Sequence, residues 1–379
     1  MLNILHVISG LDQGGAEAML LRLLQKLNRD EFSQAVVSLT TEGVHGQTIR
    51  KRGIPLFVLG MGGVSSIPLG LARLVSVMRE LRPDVVQTWL FHADFMGLVA
   101  GRLIPDARVA WNVRCGALAP GDVPRSTRFL IKVLSKLSSY PDAVVFNSVA
   151  GKEAHEAAGY QPRSCSVIPN GFDLEEWRPD WVRRAGFRAE IGMDDEDFLV
   201  GMVARYHPMK RHSVFLSAAK RLSTLAPRVN FILAGSGATW DNASLASEIN
   251  HHGLRERFTL LGPRTDMVHV MAGLDCLVLP STSEGFPNVI GEAMACGVPC
   301  VATNVGDTPL IVGDTGVIVA VDDANALAAG VAEIMALDSE ARKRRSDLCR
   351  DHIAKNFGMD RAVENYANFY RELNEHRRG

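Results

Sequence analysis

The chain has 379 residues, 47% of them hydrophobic and 22% charged, with a formal net charge of −1 at pH 7. That length allows two domains with separate cores, and the near-neutral balance speaks against nucleic acid or another polyanion as a partner. Met1-Leu-Asn-Ile-Leu-His lacks the basic start and long apolar core of a secretory signal. No apolar run nears the roughly 18 residues that span a bilayer. The expected location is cytoplasmic, with at most a peripheral contact on the inner face of a membrane.

Short apolar runs alternate with helical periodicity along the chain. Strands are expected at 4–9, 35–39, 55–59, 84–88, 108–112, 143–147 and 166–169, with helices at 16–27, 69–81, 93–103, 125–139 and 149–158 between them. This is the rhythm of βαβ units and a parallel sheet. It pauses over 170–196, a stretch rich in Trp, Arg, Pro and Asp. It resumes with strands at 198–203, 230–234, 258–261, 275–279, 299–302 and 316–320. The pattern reads as α/β, with two doubly wound domains joined near residue 175. Residues 323–376 read as helical, with Tyr366, Phe369 and Tyr370 on about one face. That face packs the last helix down, either locally or back onto the first domain.

The six cysteines, Cys115, Cys165, Cys276, Cys296, Cys300 and Cys349, form no CxxC pair. Cys276 and Cys300 fall in expected strands, where a free thiol acts as a small apolar residue. A disulfide framework or zinc site is not expected, and a reducing compartment is.

In the first half, the loop Ser9-Gly-Leu-Asp-Gln-Gly-Gly-Ala-Glu17 joins the first strand to the first helix. Gly14 and Gly15 let backbone approach a ligand, while Glu17 suits the first turn of a helix for structural reasons alone. GxGxxG is absent, which speaks against a dinucleotide dehydrogenase. Trp89-Leu-Phe-His92-Ala-Asp94 and Arg114 each follow a strand, at the carboxyl edge where α/β sheets bind ligands. His92 reads equally well as a structural histidine and as a site residue. The helix at 125–139 carries Arg125, Arg128, Lys132 and Lys136 at spacings of three, four and four beside Phe129, Leu130, Val133, Leu134 and Leu137. A solvated face over a buried one is the ordinary reading; docking on an anionic membrane surface is the sharper one.

In the second half, Arg205 and Lys210 lie in Ala204-Arg-Tyr-His-Pro-Met-Lys-Arg-His212, after that domain's first strand. Two fixed cations there could hold a diphosphate and stabilise its charge as it leaves. Ala234-Gly235-Ser-Gly237 could leave room for a nucleotide, and Gly262-Pro-Arg264 could border its base. Asp195-Glu-Asp197 spells DxD but precedes a strand, at the wrong edge for this site, so no metal is expected. The most telling segment is Glu284-Gly-Phe-Pro-Asn-Val-Ile-Gly-Glu292, running into Ala-Met-Ala-Cys-Gly-Val-Pro. Pro287 and Asn288 open a short helix after a strand, and Gly297 closes it. A helix N-terminus favours a diphosphate, whereas carboxylates beside it more plausibly accept bonds from hydroxyls. A ligand with both is a sugar nucleotide.

With these residues assembled, the chain resembles the retaining glycosyltransferases of family 4, which have the GT-B fold of two Rossmann-like domains facing across a cleft. The likeness rests on Gly14-Gly15, Val167-Ile-Pro-Asn-Gly-Phe-Asp173, Arg205 with Lys210, and Glu284-x7-Glu292 with the segment after it. It implies an acceptor-binding domain at 1–175 and a donor-binding domain at 176–360, followed by a C-terminal helix at 361–379 that packs either locally or back on the first. Catalytic roles would fall to Arg205 and Lys210 on the donor diphosphate and to Glu284 on hydroxyls of the transferred sugar. Glu292 would hold the ribose, and the backbone of Gly285, Phe286, Asn288 and Val289 would line the same pocket, bordered by Gly235 and Arg264. Gly14 and Gly15 would lie near the reaction centre. Many relatives carry a histidine where this chain has Arg114, so that role is not transferred, and His92 is the substitute candidate. Gly291, where relatives often have a larger apolar side chain, is expected to widen the pocket.

The implied reaction moves a hexose or N-acetylhexosamine from a UDP-sugar or GDP-sugar to a hydroxyl, with retention and with no cofactor or metal. The acceptor would be a glycan or lipid-linked glycan in cell-surface polysaccharide assembly. The competing readings are a sugar-nucleotide 2-epimerase of the same fold and a non-catalytic nucleotide-sugar-binding subunit.

Overall fold

A computed structural model describes residues 1–375 except 13, 105, 115 and 117–124. Gln13 of the first glycine loop, Cys115 and the last four residues of the expected C-terminal helix therefore lie outside the described residues. The chain divides into two compact units, one formed by Met1–Gly171 with Met359–Gly379 and the other by Phe172–Gly358. The breaks fall at 171/172 and 358/359, a few residues from the expected 175 and 360.

The first unit is built on seven strands: β1 Leu2–Ile8, β2 Phe32–Ser38, β3 Leu56–Val58, β4 Val85–Trp89, β5 Arg108–Val113, β6 Ala143–Phe146 and β7 Cys165–Val167. They pair in parallel in the order β3-β2-β1-β4-β5-β6-β7. Leu2 registers on Phe32 and Ile4 on Val85. A strand buried on both faces must be apolar at nearly every position, and β1 is. Ile4 and Ile8 enter one core and Leu5 and Val7 the other, as the period of two requires.

The helix Met359–Glu375 closes the first of these cores, burying Tyr366, Phe369, Tyr370 and Leu373. Tyr366 lies along Trp89, ring centroids 6.1 Å apart, and its hydroxyl accepts a 2.9 Å bond from Asn112 Nδ2. Arg371 pairs with Glu31 at 2.6 Å.

The second unit has six strands: β8 Phe198–Val203, β9 Val229–Ala234, β10 Phe258–Gly262, β11 Cys276–Leu279, β12 Cys300–Thr303 and β13 Val317–Val319. All are parallel, in the order β10-β9-β8-β11-β12-β13. The stretch 170–196, where the pattern paused, contains the helix Trp181–Glu190. Asp180 caps it, accepting from Arg183 N at 3.0 Å. Phe187 is buried in the core as in an ordinary helix, but Trp181 and Val182 are exposed, and Arg188 is buried and bound to Asp275 and Gly273 O. The tail 323–358 is two helices, Ala324–Met335 and Ser339–Phe357.

Candidate functional site

In the second sheet the strand order reverses at β8, which has β9 on one side and β11 on the other. Loops leaving the carboxyl ends of such neighbours diverge and open a crevice. The loop after β8 makes a short 3₁₀ turn, Pro208–Lys210, entered through His207, whose Nδ1 accepts from Met209 N at 3.3 Å. The next helix begins at His212, and Arg211 takes a left-handed conformation (φ 52°) at the junction. Arg211 Nε lies 2.9 Å from Asp322 Oδ1.

That turn delivers Lys210 to the loop after β11, where its ammonium pairs with Glu284 Oε1. Ser281 Oγ donates to the same oxygen at 2.7 Å, and Thr303 Oγ1 donates to Ser281 O. The two loops are also joined through backbone, Thr282 N to Met209 O at 2.8 Å. The Lys210 and Glu284 side chains are 20% and 12% exposed, so the pair is mostly out of water yet open to a ligand. Charges in such a place are only weakly screened.

Beyond Glu284, Phe286 turns inward, stacked on Phe172 with ring centroids 6.1 Å apart and meeting Phe357 edge-on at 5.7 Å. Phe286 thus anchors the loop through its ring. The helix Asn288–Ala295 starts after Pro287 with no side-chain cap and carries half-buried Glu292 on its second turn. Gly306, at φ 53°, lies against the backbone of Glu284 and Gly285 so closely that a side chain there would collide with it. Gly291 does not widen a pocket. It abuts the Phe172 ring, and a Cβ would run into it.

Arg205 is exposed, with no ion pair among the described residues. Gly235 (φ 137°) packs on the backbone of Ala204 and Arg205, so its lack of a side chain serves the close approach of two loops. Its N–H bonds to Gly262 O at 2.7 Å, at the register shift that ends β10. Arg264 is committed to two carboxylates, Glu190 at 2.5 Å and Asp266 at 2.5 Å, which hold its pKa above the usual range. Asp194, Glu196 and Asp197 fold around Arg228 at the amino end of β8. Among the described residues there is no cluster of three or more His, Cys, Asp or Glu suited to a metal ion.

In the first sheet the order reverses at β1, flanked by β2 and β4. After β1, the helix Gly15–Lys26 begins at Gly14, which has no side chain to cap it. The Glu17 carboxylate folds back over Gly14, where a Cβ would strike it. Burial raises the Glu17 pKa, its own backbone N–H lowers it, Asp12 raises it and Arg114 lowers it. After β4, Leu90 sits at φ 73° and opens the helix Phe91–Gly101. His92 is exposed, whereas Asp94 is fully buried, accepts from Thr88 Oγ1, and is pushed well above the usual carboxylate range by burial. After β5, Arg114 donates to Asn112 Oδ1 at 3.5 Å, to the Tyr366 hydroxyl at 3.1 Å and to Asn170 Oδ1. Its Cζ lies 5.4 Å from the Trp89 ring centroid.

Sequence reasoning brought Lys210 and Glu284 to the same sheet edge but missed what holds them: Ser281, Thr303 and Gly306. A hydroxyl beside a strand end carries no distinguishing signal. It also missed His212, which is buried against Tyr206, ring centroids 5.0 Å apart, with neither ring nitrogen bonded among the described residues. Burial first, then Lys210, lowers its pKa to about 4. On the helix Arg125–Leu137, Ile131 and Leu134 are buried but Phe129, expected on the apolar side, is 70% exposed.

Two Rossmann-like units, each with a parallel sheet whose strand order reverses, have the architecture of the GT-B fold. The family is then fixed by likeness to known proteins. Residues 13–176 match the model of Glycosyltransferase Family 4, and residues 197–336 match that of Glycosyl transferases group 1. The chain belongs to these glycosyltransferases, which act on nucleotide sugars.

It is 28% identical over 314 residues to the Escherichia coli UDP-Gal:alpha-D-GlcNAc-diphosphoundecaprenol alpha-1,3-galactosyltransferase, covering 80% of this chain and 79% of that one. It is 33% identical over 223 residues to the D-inositol 3-phosphate glycosyltransferase of Mycobacterium sp. (strain KMS), covering 57% of this chain and half of that one. The crystal structure of Anabaena HepE in complex with UDP and glucose superposes with a TM-score of 0.82 at 23% identity, covering 97% of this chain and 99% of that one.

Proposed function

We propose that the second unit binds a nucleoside diphosphate sugar and that the protein transfers its hexose or N-acetylhexosamine, with retention, to a hydroxyl of a phosphate-bearing glycan or lipid-linked acceptor held by the first unit. The observation that carries this is the pairing of Lys210 with Glu284 across the β8/β11 switch. Paired, each charge compensates the other. When a donor arrives, the diphosphate takes the ammonium and the sugar hydroxyls take the carboxylate, so little new desolvation is required. Arg205 adds a second cation, and the uncapped helix at Asn288 adds amides that favour the same anion. Glu292, one turn on, holds the ribose. The protein contributes position and charge stabilisation as the diphosphate leaves, and the donor's own phosphate accepts the acceptor proton. No metal is required.

UDP or GDP as the donor nucleotide is supported by likeness alone: HepE holds UDP, and the Escherichia coli relative is named for UDP-galactose. A phosphate-bearing acceptor is supported by the names of both relatives. Membrane contact on the inner face is supported by exposed Phe129 beside Arg125, Lys132 and Lys136, and would be read by flotation with anionic liposomes. No helix among the described residues is long and apolar enough to cross a membrane.

A thermal-shift screen of UDP- and GDP-sugars tests the donor reading, since a bound ligand raises the melting temperature by mass action. Stabilisation that disappears in Lys210→Ala supports it; stabilisation untouched by that change refutes it. Proton NMR of the product then reads the anomeric configuration. Epimer formation from donor alone would replace transfer with isomerisation.

A further inference from the structure

Several buried or half-buried arginines in this protein gain a carboxylate: Arg108 has Asp142, Arg184 and Arg188 share Asp275, and Arg264 has Glu190 and Asp266. Arg350 instead donates to three backbone carbonyls within a packed helix junction, and Arg114 bonds to no carboxylate among the described residues. Its three hydrogen bonds go to neutral oxygens, on Asn112, Tyr366 and Asn170. A guanidinium has five N–H donors, so two remain, and one of them, on Nε, is buried without a partner among the described residues. Neutral acceptors fix the orientation of the cation but supply no counter-charge at bonding distance. Burial lowers the Arg114 pKa, and Glu17 is the one carboxylate that raises it. The guanidinium stands at the carboxyl end of β5, next to β4 and close to the β1/β4 reversal. That is the side of the sheet on which such folds bind ligands.

We propose that Arg114 is the anion-binding residue of the first unit and takes a phosphate or diphosphate group carried by the acceptor. The word acceptor rests on the transferase reading given above; the anion site itself does not. Planar recognition by a preorientated guanidinium suits a phosphate oxygen pair. The group could belong to a soluble sugar phosphate or to a lipid diphosphate.

The test is calorimetric titration of the whole chain with glucose 1-phosphate, with farnesyl diphosphate and with glucose, in the parent protein, Arg114→Gln, Arg114→Lys and Lys210→Ala. At least one phosphate probe is expected to bind where glucose does not, and to weaken tenfold or more in Arg114→Gln. Weakening should be less in Arg114→Lys, which keeps the charge and serves if the glutamine variant is unstable. Binding should survive Lys210→Ala. Preference for one probe over the other tells soluble from lipid-linked acceptors.

The proposal falls if neither probe binds. It also falls if Arg114→Gln binds as well as the parent, or if the loss follows Lys210→Ala instead, which would put the probe in the donor site. Failure of the donor reading is seen separately, in the nucleotide-sugar screen.

Discussion

The two units solve the same architectural problem with opposite wiring. Each is a parallel sheet whose strand order reverses beside its first strand. In the second unit the charged groups at that reversal bond to each other, Lys210 to Glu284, with Ser281 and Thr303 behind them. In the first unit, Glu17, His92 and Arg114 form no bonds with one another among the described residues, and Arg114 is steadied instead by Tyr366 and Asn170 from distant sequence. A reciprocal pair is ready to trade partners for a ligand. A scaffolded single charge is ready to receive one. Substitutions in the second unit should therefore strike turnover, and substitutions around Tyr366 should strike stability first.

The largest expected effect is on transfer by Lys210→Ala or Arg205→Ala, each losing on the order of 10²-fold or more in kcat, as when a preorganised charge partner is removed. His92→Ala, on an exposed side chain, should change kcat by no more than about threefold. Comparable losses at both places would break the contrast.

Acid should weaken both units. The imidazoles of His212 and His6 are kept neutral by burial, with pKa values lowered to about 4 and about 3 from 6.5. The unfolded chain then takes up protons that the folded chain does not. Stability is whole above pH 6.5 and falls as pH drops toward 4 and then 3, by on the order of 3 kcal/mol for His212 and about 5 kcal/mol for His6. Urea midpoints at pH 7, 5 and 4 measure this, and His212→Phe should flatten the slope. A slope unchanged by that substitution would put the sensitivity elsewhere.

Gly291→Ala should lower stability by about 1–3 kcal/mol, since the added methyl meets the Phe172 ring. Thermal unfolding with donor affinity measured alongside would show whether this glycine serves packing alone. Tyr366→Phe should lower stability by about 1–3 kcal/mol, from the lost bonds to Asn112 and Arg114. A loss of acceptor binding larger than that would show that Tyr366 matters through Arg114.

Much of this was legible before any coordinates. Apolar runs such as 230–234 announce strands because a strand covered on both faces has nowhere to put a polar residue. Glu284, Arg205 and Lys210 could be assigned to carboxyl ends of strands from their place after those runs. What could not be read is pairing across distance. Lys210 and Glu284 are 74 positions apart, and Asn112 and Tyr366 are 254 apart. The helix Trp181–Glu190 gives no apolar period because Trp181 and Val182 face water while Phe187 shares the buried side with Arg188. Gly291 was misjudged because its neighbour, Phe172, enters from another part of the chain.

The return of Met359–Glu375 to the first unit has a consequence for how the protein is made. As the ribosome releases the chain, Phe172–Gly358 is synthesised in full while the first unit still waits for its last helix. Until those final turns emerge, Trp89 and the neighbouring side chains of β1 and β4 lack the cover that Tyr366 and Tyr370 provide. The portion begun first is thus the last to be finished, and a premature stop just before Met359 leaves an intact second unit attached to an open first one.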